Sequence, residues 1–360
     1  MVNIKITSKS CNENNMKIPQ NPAEITSGWL KEMLYPEISN IKIDSIEIDE
    51  KLKLRGGLGK AVRVNLNYAD KEYRSKSVII KFQVSNSDKK IEGEIYQLLE
   101  KAKASFMPRL YGVFGEGNLI LEDMSPTHFN LPDANFTITQ ARNVISLLAE
   151  VNSKFWGNSR VPKIDQDHFI NSININFGES WDNFKKRYQD QLGKEMVSFE
   201  WIWKNAEVVS RHYNSGPVTL IHGDVNNGNL LFPNDGSNRP ILIDWQLSGQ
   251  KVLPFDLSYF IAKNLSVEQR RKHEDMLIKE YYELLPDHIR NNYSFDRLML
   301  DYRACLTRSM LSAVTRMGPK FDHLPNRLKE ADKLVTRVTE AARDLKPVEA
   351  IQELEIRGIL

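Results

Sequence analysis

Apolar and polar positions alternate in short runs along the first third of the chain. "KIDSIEID" (42–49) has the two-residue period of a half-buried strand, and "RGGLGKAVRVNLNY" (55–68) sets a glycine turn before a second such run with Val62, Val64 and Leu66. "SKSVIIKFQV" (75–84) is β-branched and more continuously apolar, which predicts a third, more buried strand. After the cap residues of "SNSD" (85–88), Ile91, Ile95, Leu98, Leu99 and Ala102 recur at helical spacing. Two more strands are predicted over 110–114 and 119–122, with the turn "GEG" between them, and a helix over 24–33 precedes the whole set.

The pattern changes at "SPTHFNLPDANF" (125–136), where Pro, Asn and Asp crowd a run with little periodicity; the boundary is set there, giving domains 1–124 and 125–360. Beyond it, "TITQARNVISLLAEVNSKFWG" (137–157) places Val144, Leu147, Leu148, Val151 and Phe155 on one helical face ended by Gly157. Residues 179–213 and the chain from about 265 onward also read as helices. Strand signals in this half are confined to the flanks of "IHGDVNNGNL" (221–230) and to "PILID" (240–244). The fold class is therefore α+β: a small antiparallel sheet crossed by one helix, followed by a mostly helical domain.

Composition narrows the function classes. At 360 residues and 41% hydrophobic content the chain can bury a full core in two domains. Its net charge of +2, with both signs interspersed, leaves no footprint for nucleic acid or an anionic membrane. Cys11 and Cys305 form neither a disulfide framework nor a metal spacing. No signal peptide and no apolar run of ~18 residues is seen, so a soluble, cytoplasmic protein is expected.

The candidate chemistry lies in the loop "IHGDVNNGNL", held between the apolar runs "PVTLI" and "LLF". Asp224 and Asn229 stand five apart, and Asp244 ends "ILID" twenty residues after Asp224. Oxygen-bearing side chains at adjacent strand ends suit a hard cation such as Mg²⁺, commonly shared with nucleotide phosphates. A turn held by Asx caps is the plainer alternative. The same spacing occurs in kinase catalytic loops, where an Asp stands by the acceptor hydroxyl, an Asn five residues on holds metal, and a later Asp holds Mg²⁺.

"HGDVNNGNL" followed by "LIDWQ" resembles the motifs of the aminoglycoside phosphotransferase and choline kinase superfamily, and Gln246 with "PFDLSYFI" (254–261) is most similar to its ecdysteroid-kinase-like group. Protein kinases carry Arg where this chain has Gly223. The resemblance implies a two-lobed protein-kinase-like fold and transfer of the γ-phosphate of ATP, with Mg²⁺, to a hydroxyl of a small molecule. It assigns Asp224 to the acceptor hydroxyl, Asn229 and Asp244 to the metal, and Lys81 of "VIIKF" to the α- and β-phosphates. Lys81 would pair with a helix glutamate. Glu92 fits the family's spacing to Tyr96, while periodicity leaves Glu94 as a rival.

By the same resemblance the "RGGLGKA" loop (55–61), with Gly57, Gly59 and Lys60, would cover the nucleotide, although Val62 stands where a third glycine is usual. Glu122, Asp123 and Met124 would form the hinge that meets adenine. His222 and Asp256 are expected to brace the loop, and Asn152 departs from the family's usual histidine. Trp181, Trp201, Trp203, Tyr281 and Tyr282 could line an acceptor pocket or belong to the core. A nucleotide-binding pseudokinase, a protein kinase and an AMP transferase are the rival readings. Asp244 is followed by "WQ" and not "FG", which disfavours the protein kinase.

Overall fold

The alternating runs of the first third pair into one antiparallel sheet. The computed structural model describes residues 17–34, 43–49, 59–68, 76–83, 89–131, 136–164, 166–319 and 326–360. By contacts the chain divides into two compact units, residues 1–93 with 108–123, and residues 94–107 with 124–360.

The first unit opens with helix α1 (Ser27–Leu34), followed by strands β1 (Ile43–Asp49), β2 (Gly59–Tyr68) and β3 (Lys76–Gln83). Helix α2 (Lys89–Lys101) starts in this unit, and β4 (Leu110–Phe114) and β5 (Asn118–Glu122) complete the sheet in the order β1-β2-β3-β5-β4. The register sets Val62 opposite Ile80 and Ile80 opposite Ile120. These residues pack with Val64, Val78, Phe82 and the α1 residues Trp29, Leu30 and Leu34 into the unit's apolar core. The period-two pattern is thus one face of a sheet covered by a helix.

The second unit holds β6 (His128–Phe129), α3 (Ile138–Lys154), α4 (Gln166–Leu192), α5 (Met196–Lys204), α6 (Ala206–Tyr213), β7 (Val218–Ile221), β8 (Leu230–Pro233), β9 (Ile241–Leu242) and β10 (Gly249–Val252). Then follow α7 (Phe255–Asn264), α8 (Val267–Leu284), α9 (Asp287–Arg290), α10 (Phe295–Cys305), α11 (Thr307–Thr315), α12 (Arg327–Leu345) and α13 (Pro347–Ile356). Thr137 and Gln140 close a capping box at the start of α3, as Ser266 and Gln269 do for α8. Among the described residues no helix is long and apolar enough to cross a membrane.

Two strands of this unit are missing from the sequence pattern. β6 is only two residues long, and β10 reads "GQKV" with no alternation because all four of its residues are buried. β10 pairs antiparallel with β7, and β8 pairs with both β6 and β9, so two small sheets border the 221–230 loop. Cys305 is buried and unbridged.

Candidate active site

In the first unit, Lys81 sits on the central strand, opposite Ala61 of β2 and Leu119 of β5. Its ammonium donates to Glu92 Oε1 at 2.8 Å, and Gln83 Nε2 donates to Glu92 Oε2 at 2.6 Å. Both members of the ion pair are buried, and Glu94 is exposed, so Glu92 is the partner of Lys81. Close packing of α2 makes this reach possible: a Cβ on Gly93 would stand 3.3 Å from Val113 and 3.6 Å from the Gly117 backbone. Glu92 thus compensates the buried Lys81 cation, and Gln83 gives the same carboxylate a second donor.

The other nucleotide candidates of this unit are less informative. Gly57 lies outside the described residues, and Gly59 and Lys60 are the first two residues of β2, opposite Gln83 and Phe82. Glu122 ends β5, where its amide donates to Arg109 O and its carboxylate accepts from Arg109 N. The Asp123 carboxylate is engaged inside the unit, accepting from Arg63 Nε and Ser77 Oγ at 2.7 Å each. Met124 belongs to the second unit, where its carbonyl accepts from the amides of Thr127 and His128.

In the second unit, β7 delivers the loop and β8 takes it away. Three asparagines within it have three different tasks. Asn226 Oδ1 accepts from Gly228 N and caps a short 3-10 turn, and Asn227 Nδ2 donates to Leu131 O while its amide donates to Asn264. Asn229 Nδ2 donates to the Asp224 carbonyl at 2.9 Å and to Asp224 Oδ2 at 3.2 Å. Asx capping therefore describes Asn226, whereas Asn229 is tied to the carboxylate five residues back.

The loop is braced from below. Asp256, in the first turn of α7, accepts from the amides of His222 (2.6 Å) and Gly223 (2.9 Å). Burial pushes the Asp256 acid up from its ordinary range, while His222 and the two amides pull the other way. His222 Nδ1 accepts from Asp224 N, which leaves Nε2–H to donate to Ile243 O at 2.9 Å. The ring packs against Trp245, whose own ring meets Phe106. Asn130 Nδ2 reaches the carbonyls of Asn227, Gly228 and Leu230.

Asp244 follows directly on this frame. Leu230 pairs with Leu242, and the Ile243 amide donates to Asn229 O at 3.0 Å, so Asp244 lies one residue beyond a backbone pair that includes Asn229. Its φ of +68° is a left-handed conformation that a side chain adopts at a cost, a feature concentrated at ligand-holding positions. With the Asn229 nitrogen engaged by Asp224, the amide oxygen is the atom left to ligate a cation beside Asp244. A carboxamide and a carboxylate fit a hard cation that takes its other ligands from phosphate and water. Among the described residues no group of three or more His, Cys, Asp or Glu is gathered for a metal.

Sequence reasoning missed the surroundings of Asp224. Its Oδ1 accepts from the Tyr259 hydroxyl at 2.7 Å and lies 3.4 Å from Lys263 Nζ. Arg308 of α11 stacks 5.0 Å from the Tyr259 ring and reaches Gly223 O. Burial works to raise the Asp224 acid, yet Lys263, Arg308 and the Tyr259 hydroxyl outweigh it and hold the group well below the usual carboxylate range. Asp256, Tyr259 and Lys263 stand at i, i+3 and i+7 on α7, a polar stripe on a mostly buried helix that the sequence did display. Arg308 has no such local signal.

Most of the aromatic candidates lie in or against the core. Trp181 stacks between Phe177 and Phe184, and Trp201 and Trp203 pack against the same cluster. Tyr281 is fully buried and donates to Asn152, and Tyr282 donates to Tyr293 O. An open hollow of about 400 Å³ along α3, lined by Ser146, Glu150 and Leu284, contains none of the motif residues.

Comparison with known proteins agrees with the motif. Residues 158–292 match the model of the ecdysteroid kinase-like family. An uncharacterized kinase-like protein of Caenorhabditis elegans is 28% identical over 88 residues, 24% of this chain and only 23% of that protein's length. Among solved structures, choline kinase from Cryptosporidium parvum is similar with a TM-score of 0.52 at 15% identity, over 92% of this chain and 96% of that one. Choline kinase from Streptococcus pneumoniae gives 0.51 at 15% identity over 86% and 98%. Plasmodium vivax ethanolamine kinase gives 0.51 at 11% over 91% of each. The resemblance read from the motifs is borne out: an ecdysteroid kinase-like segment on a protein-kinase-like α+β fold.

Proposed function

We propose that the protein is a small-molecule kinase that moves the γ-phosphate of ATP, with Mg²⁺, to the hydroxyl of a small molecule. One observation carries the reading: a part-exposed carboxylate, Asp224, is held ionised and hydrogen-bonded to Asn229, whose backbone carbonyl accepts from the amide of Ile243, the residue before a second oxygen donor, Asp244. The left-handed Asp244 and the part-exposed Asp224 within a braced loop favour a ligand-holding loop over a plain turn.

Asp224 orients the acceptor hydroxyl and takes its proton late, as a weakly basic carboxylate does when the transition state is loose. Asn229 Oδ1 and Asp244 would hold Mg²⁺, which when bound neutralises charge on the phosphates. In the first unit, Lys81, steadied by Glu92, is the phosphate-binding residue. Positioning and fixed charge supply most of the catalysis in such reactions, which suits a site whose groups are cross-braced before any ligand arrives. The acceptor is a hydroxylated small molecule such as an antibiotic, a steroid-like alcohol, an amino alcohol or a sugar, and the reading places the protein in the cytoplasm.

The test is an ATP-consumption screen over hydroxylated metabolites and antibiotics with Asp224→Ala as the control. The variant is expected to lose ~10²–10⁴-fold in turnover while ATP affinity stays within a few-fold. Undiminished turnover in the variant would sink the assignment. Nucleotide binding without any turnover in the parent protein would favour the pseudokinase instead.

A further inference from the structure

We propose that Lys263 is a further phosphate-contacting residue of this site, its ammonium meeting the phosphoryl group as it passes to the acceptor beside Asp224. The inference rests on the kinase reading above and adds to it a residue outside the motifs that led there.

Lys263 lies in the last turn of α7 with only 14% of its side chain exposed. Lysines so placed usually extend to water. This one turns inward instead: Nζ is 3.4 Å from Asp224 Oδ1, donates to the Tyr259 hydroxyl and sits 4.6 Å from the Tyr259 ring centre. Arg308 covers the same ring at 5.0 Å, so Tyr259 and Asp224 are flanked by two cations.

The ammonium is not needed to hold the backbone there. Asn264 Nδ2 ties the end of α7 to Val225 O and Phe260 O, and Arg337 donates to the Lys263 carbonyl at 2.8 Å. Nor is it the only group that orients Asp224, whose two oxygens also accept from Tyr259 and from Asn229. What the cation adds is a mobile point charge at the place where the acceptor oxygen must attack. Charge in phosphoryl transfer spreads over the three equatorial oxygens, and a lysine can leave a carboxylate oxygen for one of them without losing its proton. In the step itself the acceptor oxygen bonds to phosphorus and the β–γ bridging P–O bond breaks. The electron pair leaves on the nucleoside diphosphate, and the hydroxyl proton passes to Asp224.

Lys263→Met and Lys263→Arg would be compared with the parent and with Asp224→Ala. Lys263→Met is expected to lower kcat on the order of 10²-fold, with the KM for ATP within about threefold, and Lys263→Arg to restore at least about a tenth of parent kcat. Calorimetry gives a readout without turnover. The parent should bind Mg·ADP with aluminium fluoride, a mimic of the transferring phosphoryl group, more tightly than Mg·ADP alone, and Lys263→Met should lose that increment. If Lys263→Met unfolds, Lys263→Gln replaces it, with melting temperature recorded for each. Turnover within threefold of the parent, or a retained fluoride increment, overturns the role of Lys263 alone. A parent with no turnover, or with turnover insensitive to Asp224→Ala, overturns the kinase reading and the lysine with it.

Discussion

Gly223 shows what a single position in the motif must satisfy. Its φ is +84°, and a Cβ there would stand 2.3 Å from the Leu247 carbonyl oxygen. The glycine that separates this motif from the protein-kinase one is thus required twice over, by backbone conformation and by the turn at Leu247 packed on its α-carbon. Gly223→Ala is expected to destabilise the second unit by roughly 2–5 kcal/mol, the left-handed penalty plus overpacking. Urea denaturation measures it, and a loss below ~0.5 kcal/mol would mean that residues 245–248 yield at no cost. That Asp224, Asn229 and Asp244 belong to one braced loop region was legible from the spacing of oxygen-bearing residues alone. Lys263 showed only as part of the polar stripe of α7, and Arg308 did not show at all, since an arginine on a distant helix looks like a solvated charge until folding brings it over Tyr259.

Helices and strands explain one departure from the family's pattern, Asn152. Asn152 of α3 is fully buried: its Nδ2 donates to Leu220 O of β7 at 2.9 Å, its Oδ1 accepts from the Tyr281 hydroxyl of α8 at 2.7 Å, and its carbonyl accepts from Thr219. One carboxamide therefore joins three elements behind the loop and is fully buried. Asn152→Ala should cost roughly 2–4 kcal/mol, because it leaves a buried carbonyl short of a donor and opens a cavity. The KM for the acceptor should stay unchanged; a selective rise in it, with stability intact, would return Asn152 to the substrate. The amphipathic face of α3 was plain from its heptad-like spacing, as were the half-buried strands of the first sheet. β10 was hidden for the opposite reason: a strand buried on both faces can carry Gln and Lys when partners await them, so its sequence lost the apolar signature that buried strands normally show.

For the whole molecule, that same strand sets a pH dependence. Lys251 is 1% exposed, opposite Thr219 of β7, and donates to Asn214 Oδ1 at 2.9 Å. Burial pushes its ammonium down from 10.5 to about 8. The unfolded chain keeps this proton up to its ordinary value, so between these two limits it binds more protons than the folded chain, and stability rises with pH across that window. Below pH 8 the cost of the buried charge is present in full. Replacement by methionine removes the charge and keeps most of the volume, so Lys251→Met should stabilise the second unit at pH 7 by up to roughly 3 kcal/mol, somewhat less once Asn214 loses its donor. The difference between parent and variant should narrow as pH climbs from 8 toward 10, read from urea midpoints of the second unit's transition at matched ionic strength. A variant less stable than the parent at pH 7, with a gap that does not move with pH, would show that the ammonium contributes to the fold as an ion and that its surroundings compensate the charge completely.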